Sequence, residues 1–266
     1  MLVVQQDDLL YEPVGQAAST HILKPEHTEP ELYYFTVRNE YTIMRLARAA
    51  GLQVPEVSIH YVPEAFYLVE RFDRIGKAPQ IERIHVLDGC QLLALSAGAK
   101  YRQSNIETLL QLKQLCRSQG LTALKIFRWL VFNFLVGNGD AHLKNLSFSY
   151  RNQDIELLPH YDLLSTTIYA PTGEAQNEML SQPLGSALYF GQVRKQNLIE
   201  VAERFGLRRQ IAEKEITELV QKLTQAMEQE YRRLETAPNY SSKAGELRML
   251  REIQYLAIQP HSEQLK

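Results

Sequence analysis

Apolar and polar positions change period several times along this chain, and each change predicts an element. The early apolar runs are short. Residues 9–14 and 21–24 read as strands, the first closed by a turn at Gly15 and the second by Pro25. Over 37–50 the period turns helical, since Val37, Tyr41, Met44 and Ala47 fall three and four apart and Gly51 supplies a C-terminal stop. Residues 57–61 and 65–69 predict a hairpin across Pro63 and Glu64. The polar stretch 75–80 then marks a boundary between a first lobe, 1–74, and a second, 75–266. Beyond it helical periodicity covers 85–95, 105–116 and 121–136. A glycine-containing loop at 137–145 follows, and then a hairpin, 146–150 with 155–158, turning at Arg151-Asn152-Gln153-Asp154. Residues 171–187, with Pro171, Gly173, Pro183 and Gly185, predict loop. Residues 195–256 predict two or three amphipathic helices broken at Ala237-Pro238-Asn239. The pattern is that of an α+β protein with a small mixed lobe and a largely helical one.

Composition narrows the class. The chain has 266 residues, 45% hydrophobic and 23% charged, within the range of globular proteins with a substantial core. A net charge of -2 gives no overall nucleic-acid footprint. Two cysteines, Cys90 and Cys116, are too few for a disulfide framework or a zinc site and read as reduced thiols of a cytoplasmic protein. No apolar run is long enough to span a membrane, and Gln5, Gln6, Asp7 and Asp8 break any signal peptide pattern.

The chemistry concentrates at Gly137-Asn138-Gly139-Asp140-Ala141-His142-Leu143-Lys144-Asn145, directly after the apolar run 126–136. An Asp can take a proton from a hydroxyl, an Asn five residues on can ligate a metal, and a Lys between them can neutralise a phosphate. Asp162, after the following hairpin, can add a carboxylate to the metal, and Lys24 on an early strand can orient phosphates. Lysine, loop Asp and Asn, then a later Asp, in that order, are the working parts of a kinase fold. Each residue has a plainer use: Asp140 or Asp162 as a cap, Asn145 as a turn residue, Lys24 as a solvated edge lysine. Glu40 suits either a partner for Lys24 or an exposed acid in a first helical turn. His142 reads as a prop for the loop and Trp129 as core. The pairs Arg208-Arg209 and Arg232-Arg233 read as solvated helix faces.

Several segments resemble, in order, the HipA family of bacterial serine/threonine kinase toxins. Thr20-His21-Ile22-Leu23-Lys24-Pro25 is similar to its ATP-lysine strand and Asn39-Glu40-Tyr41 to the start of its first-lobe helix. Val69-Glu70-Arg71-Phe72-Asp73-Arg74 resembles its hinge, Cys90-Gln91-Leu92-Leu93 with Lys100-Tyr101 an early second-lobe segment, and Gly139–Asn145 with Tyr161-Asp162 its catalytic loop and metal-binding segment. The resemblance implies a bilobal protein-kinase-like fold using ATP and Mg²⁺. It implies a catalytic loop of Asp140, His142 and Lys144, with metal ligands Asn145 and Asp162. Lys24, Glu40 and the hinge residues Glu70, Arg71 and Phe72 would hold the nucleotide. Aminoacyl-tRNA synthetases are among the implied protein substrates, and an antitoxin protein of DNA-binding type is the implied partner. The family's Ser-Gly-Val-Gln type phosphate loop is not visible ahead of Lys24, and there is no room for its additional N-terminal subdomain, so the likeness is to short, HipT-like members. A kinase-fold binding module with little catalysis, or a small-molecule kinase, stays open as an alternative.

Overall fold

The computed structural model describes residues 1–6, 9–77, 80–151 and 154–266. The first part of the chain builds an antiparallel sheet of five strands in the order β2-β1-β3-β5-β4. These are β1 (Leu2–Gln6), β2 (Leu9–Tyr11), β3 (His21–Pro25), β4 (Val57–Tyr61) and β5 (Ala65–Glu70). The strand expected over 9–14 is therefore shorter and pairs with a first strand that the pattern did not suggest. β1 has one buried residue, Val3, so it carries little alternation to detect. Helix α1 (Thr36–Ala49) packs on β4 and β5. Its Val37, Tyr41, Met44 and Ala47 are buried as the periodicity predicts.

The polar stretch 75–80 contributes to a hairpin of β6 (Arg74–Lys77) with β7 (Gln80–Arg83), and residues 78–79 lie outside the described residues. The helix expected over 85–95 is corrected. Val86 to Asp88 form β8, paired with β9 (Ser147–Arg151), and only Gly89–Leu92 is helical, as α2. Asp88 and Gln91 supply a reciprocal cap there, Asp88 Oδ1 accepting the Gln91 N–H at 2.8 Å and Gln91 Oε1 the Asp88 N–H at 2.9 Å. The apolar pair Val86-Leu87 serves sheet pairing instead of a helix face. β10 (Asp154–Leu157) completes the hairpin with β9, and residues 152–153 of its expected turn lie outside the described residues.

The remainder is mainly helical, with α3 (Ile106–Leu115) and α4 (Gln119–Val136) ahead of the 137–145 loop. α5 (Lys195–Arg204), α6 (Arg209–Thr236), α7 (Lys243–Glu252), a π-turn segment and α8 (Gln259–Gln264) follow. Residues 171–187 are less irregular than predicted. They contain β11 (Met179–Leu184), which pairs across an irregular register with β12 (Ala187–Tyr189). Pro183 sits inside β11, and Pro183 and Gly185 are what made the segment read as loop.

α4 is buried on nearly every face, with Ile126, Phe127, Trp129, Val131, Phe132, Leu135 and Val136 all inaccessible. Each such side chain contributes about 1.5–3 kcal/mol on burial. Trp129 is core, as expected, and stacks on His160 with ring centres 6.2 Å apart. One continuous apolar cluster runs from α1 through α4 to α6 and the C-terminal helices. No helix among the described residues is long and apolar enough to cross a membrane.

Candidate active site

β3 presents Lys24 opposite Tyr67 of β5. Its Nζ donates to both oxygens of Glu40, at 2.8 and 3.1 Å, and to Asp162 Oδ1 at 2.5 Å. Burial opposes the charge on Lys24, but the two carboxylates outweigh it and hold its pKa above the ordinary value. Glu40 is pushed up to about 7, chiefly by burial and only partly relieved by Lys24. Glu40 is thus not the exposed first-turn acid of the plainer alternative. Asp162 has φ of 57°, in the left-handed region that Asp tolerates better than most residues. Backbone held there costs of order 1–3 kcal/mol and persists where neighbours impose it.

The loop after α4 is fixed by its own polar residues. Gly137 ends the helix in the left-handed conformation, and a Cβ there would lie 2.1 Å from Thr167 Oγ1. Asn138, 2% exposed, donates to Asn133 Oδ1 at 2.8 Å and accepts the Asp140 N–H at 3.0 Å. The Gly139 N–H bonds Thr166 Oγ1 at 2.7 Å and the Ala141 N–H bonds Ser181 Oγ at 2.9 Å. Asp140 is thereby aimed into an open groove of about 790 Å³ walled by Tyr33, Tyr101, Tyr169 and Met179. The Tyr101 hydroxyl donates to Asp140 Oδ1. Asn145 is buried and donates to the Asp140 carbonyl at 2.9 Å.

His142 is buried, 3.8 Å from Asp140 Oδ1 and 3.0 Å from Lys100 Nζ. Burial first, and then Lys100, lower its pKa against the pull of Asp140. The imidazole is enclosed between Lys100 and Asp140, beside the loop it is expected to prop. Lys144 is half-buried, and its carbonyl accepts the Tyr161 hydroxyl at 2.7 Å. That bond, with Ser147 to Tyr161 at 2.8 Å, ties the 137–145 loop to the segment carrying Asp162. Lys100 and Tyr101 are site neighbours whose individual roles were not readable, because only the tertiary fold brings them to Asp140.

A cleft of about 250 Å³ lies beside Lys24 and Asp162, lined by Ile22, Val69, Phe72, Val86 and Tyr161. Of the three hinge residues, Glu70 spends its N–H on the Glu56 carbonyl at 2.9 Å and Arg71 on the Thr20 carbonyl at 2.9 Å. The Arg71 guanidinium is clasped to Asp73 by bonds of 2.9 and 2.6 Å. Among the described residues the Phe72 N–H has no protein acceptor, while its ring leans on Tyr161 at 5.4 Å.

The donor chemistry of two residues suits a magnesium ion. Asp162 carries a carboxylate, with Oδ1 bonded to Lys24, and Asn145, with its amide nitrogen engaged, has its carboxamide oxygen left to ligate. Both are hard oxygen donors of the kind Mg²⁺ takes alongside phosphate oxygens and water. Among the described residues no group of three or more His, Cys, Asp and Glu could cage a metal.

Residues 2–227 match the family model described as the HipA-like C-terminal domain, and the chain belongs to that family. Over 230 residues it is 30% identical to the serine/threonine-protein kinase toxin HipA of Shewanella oneidensis, covering 80% of this chain and 51% of that protein. A chain in the solved complex of Shewanella oneidensis HipA, HipB and operator DNA superposes with a TM-score of 0.82 at 25% identity, over 99% of this chain and 65% of that one. The Helicobacter pylori proinflammatory kinase CtkA superposes with a TM-score of 0.58 at 14% identity, over 98% and 92%, a likeness of fold alone. The chain spans about half the length of the first curated relatives it matches. Its architecture is the bilobal, kinase-like α+β fold that the family resemblance implied.

Proposed function

We propose that this chain transfers the γ-phosphoryl group of ATP to a serine or threonine hydroxyl of a protein, as the toxin kinase of a cytoplasmic toxin–antitoxin pair. The observation that carries this reading is the Lys24–Glu40–Asp162 bond system, tied through Tyr161 to the loop bearing Asp140 and Asn145. The adenine would enter the cleft and take its hinge bond from the Phe72 N–H. Lys24, held by Glu40, would meet the phosphates. Asn145 and Asp162 would hold Mg²⁺, which when bound neutralises charge on the transferring phosphoryl group. Asp140 would accept the proton of the attacking hydroxyl, a general-base contribution of roughly 10²–10⁴-fold. Tyr101 and His142 would keep its carboxylate in place. Positioning and charge neutralisation would supply most of the rate.

The open groove beside Asp140, with Tyr33 and Tyr101 in its wall, supports a polypeptide acceptor over a small molecule. The solved Shewanella complex holds HipA with HipB and operator DNA, which supports a DNA-binding antitoxin as partner. An aminoacyl-tRNA synthetase is the first acceptor to test, using labelled γ-phosphate transfer from ATP with Mg²⁺ present. Incorporation into a serine or threonine of the synthetase supports the reading. No incorporation into any protein of a cell extract would count against it.

A further inference from the structure

Successive helical positions point about 100° apart, so Arg38, Asn39 and Glu40 leave α1 in three directions. Glu40 reaches Lys24. Asn39, 0% exposed, grips the backbone of Ser165 from both sides, donating to its carbonyl at 2.8 Å and accepting its N–H at 2.9 Å. Ser165 follows closely on Asp162, so this clasp joins α1 to the segment with the left-handed backbone. Arg38 points to the far end of the chain. Its Nε donates to Glu246 Oε2 at 2.6 Å, and its Nη2 to the hydroxyls of Tyr61 at 2.5 Å and Tyr240 at 3.2 Å.

Glu246 is 1% exposed and its carboxylate also accepts from Tyr61, Tyr240 and Ser242. The cluster thus joins α1, β4 and α7. Tyr240 and Glu246 lie beyond residue 227, where the family match ends. A buried ion pair of this sort adds little net stability over an apolar pair of equal volume. Its specific effect is geometric, because these donors and acceptors are satisfied together at one rotation and height of α1.

We infer that Arg38 with Glu246, and Asn39 with Ser165, are positioning residues that fix Glu40 against Lys24 and Asp162, so that the segment after residue 227 sets the nucleotide site from behind α1. This rests on the kinase reading. Neither cluster touches the reacting atoms. Each acts through the orientation of α1 on the sheet.

The test uses the full chain. Arg38→Met with Glu246→Leu replaces the ion pair by apolar volume, and Tyr61→Phe with Tyr240→Phe trims the same cluster without leaving an unpaired charge. Arg232→Ala, in an exposed pair with Glu228, serves as control. Two readouts are taken: kinetics, and amide hydrogen exchange over 36–49 without substrates. The expected result is a roughly tenfold higher KM for ATP, an unchanged acceptor KM, and faster exchange in α1, in at least the tyrosine pair. Protection of α1 and an ATP KM both equal to those of the control would overturn the inference. If the wild type transfers no phosphate, the kinase reading fails, and exchange in α1 still decides whether the cluster holds the helix.

Discussion

Lys24 and Asp162 stand 138 positions apart in sequence and meet through a single short ion pair, Nζ to Oδ1 at 2.5 Å. The same ammonium grips both oxygens of Glu40. One strand lysine therefore joins the sheet, helix α1 and the segment carrying Asp162. Two carboxylates share one cation, and burial raises the cost of keeping Glu40 charged.

Glu40→Gln tests that balance. The folded state holds Glu40 at about 7 against an ordinary 4.5, so between these pH values the folded protein binds more protons than the unfolded chain. Stability associated with Glu40 then falls as pH rises through that window, by at most about 3 kcal/mol. Glutamine does not titrate, and Lys24 keeps Asp162. The variant should gain on the wild type in melting temperature from pH 5 to pH 8 while losing phosphoryl transfer. A gain that shrinks with rising pH would contradict the assignment.

Gly89→Ala should disturb the loop from behind. A Cβ at Gly89 would lie 2.6 Å from the Leu143 carbonyl oxygen, a backbone atom that cannot rotate away. Overpacking of this kind costs about 1–3 kcal/mol. Because Leu143–Asn145 form one short turn, the displacement falls on Asn145. Chemical denaturation should show the loss, and the Mg²⁺ concentration for half-maximal activity should rise. Wild-type values of both would argue against close packing here.

Acid lability should trace to buried imidazoles. His261 is inaccessible, stacked with Phe134 and Phe190, and burial holds it at about 4. The unfolded chain takes the proton first as pH falls below about 6.5, so stability present at neutral pH is lost on the way down to about 4. His261→Gln should reduce the loss in unfolding free energy between pH 7 and 4.5 by about 2 kcal/mol. Urea titrations at both pH values measure it, and an unaltered difference would exclude His261 as a source.

The parts of this molecule legible in sequence are those where local pattern and chemistry coincide. α1, α4 and the 137–145 loop each declare themselves through period or residue type, and Lys24 and Asp162 stand out as polar residues ending apolar runs. The pairing of Lys24 with Glu40 was an even choice in sequence, because a first-turn acid has a ready local use. β8 was lost to helix because Val86-Leu87 is too short to show alternation. β11 was lost because Pro183 and Gly185 punctuate it. The Tyr101 bond to Asp140 and the Arg38–Glu246 cluster join distant segments, so spacing carries no trace of them.

The most direct measurement compares wild type with Asp140→Asn for γ-phosphate transfer to a protein hydroxyl, alongside nucleotide binding by each. Asn keeps the shape of the side chain and removes the carboxylate proposed to act as base. Transfer should fall roughly 10²–10⁴-fold in the variant, with nucleotide affinity within a few-fold of wild type. Equal transfer by the two proteins, or none by either while both bind ATP, would contradict it.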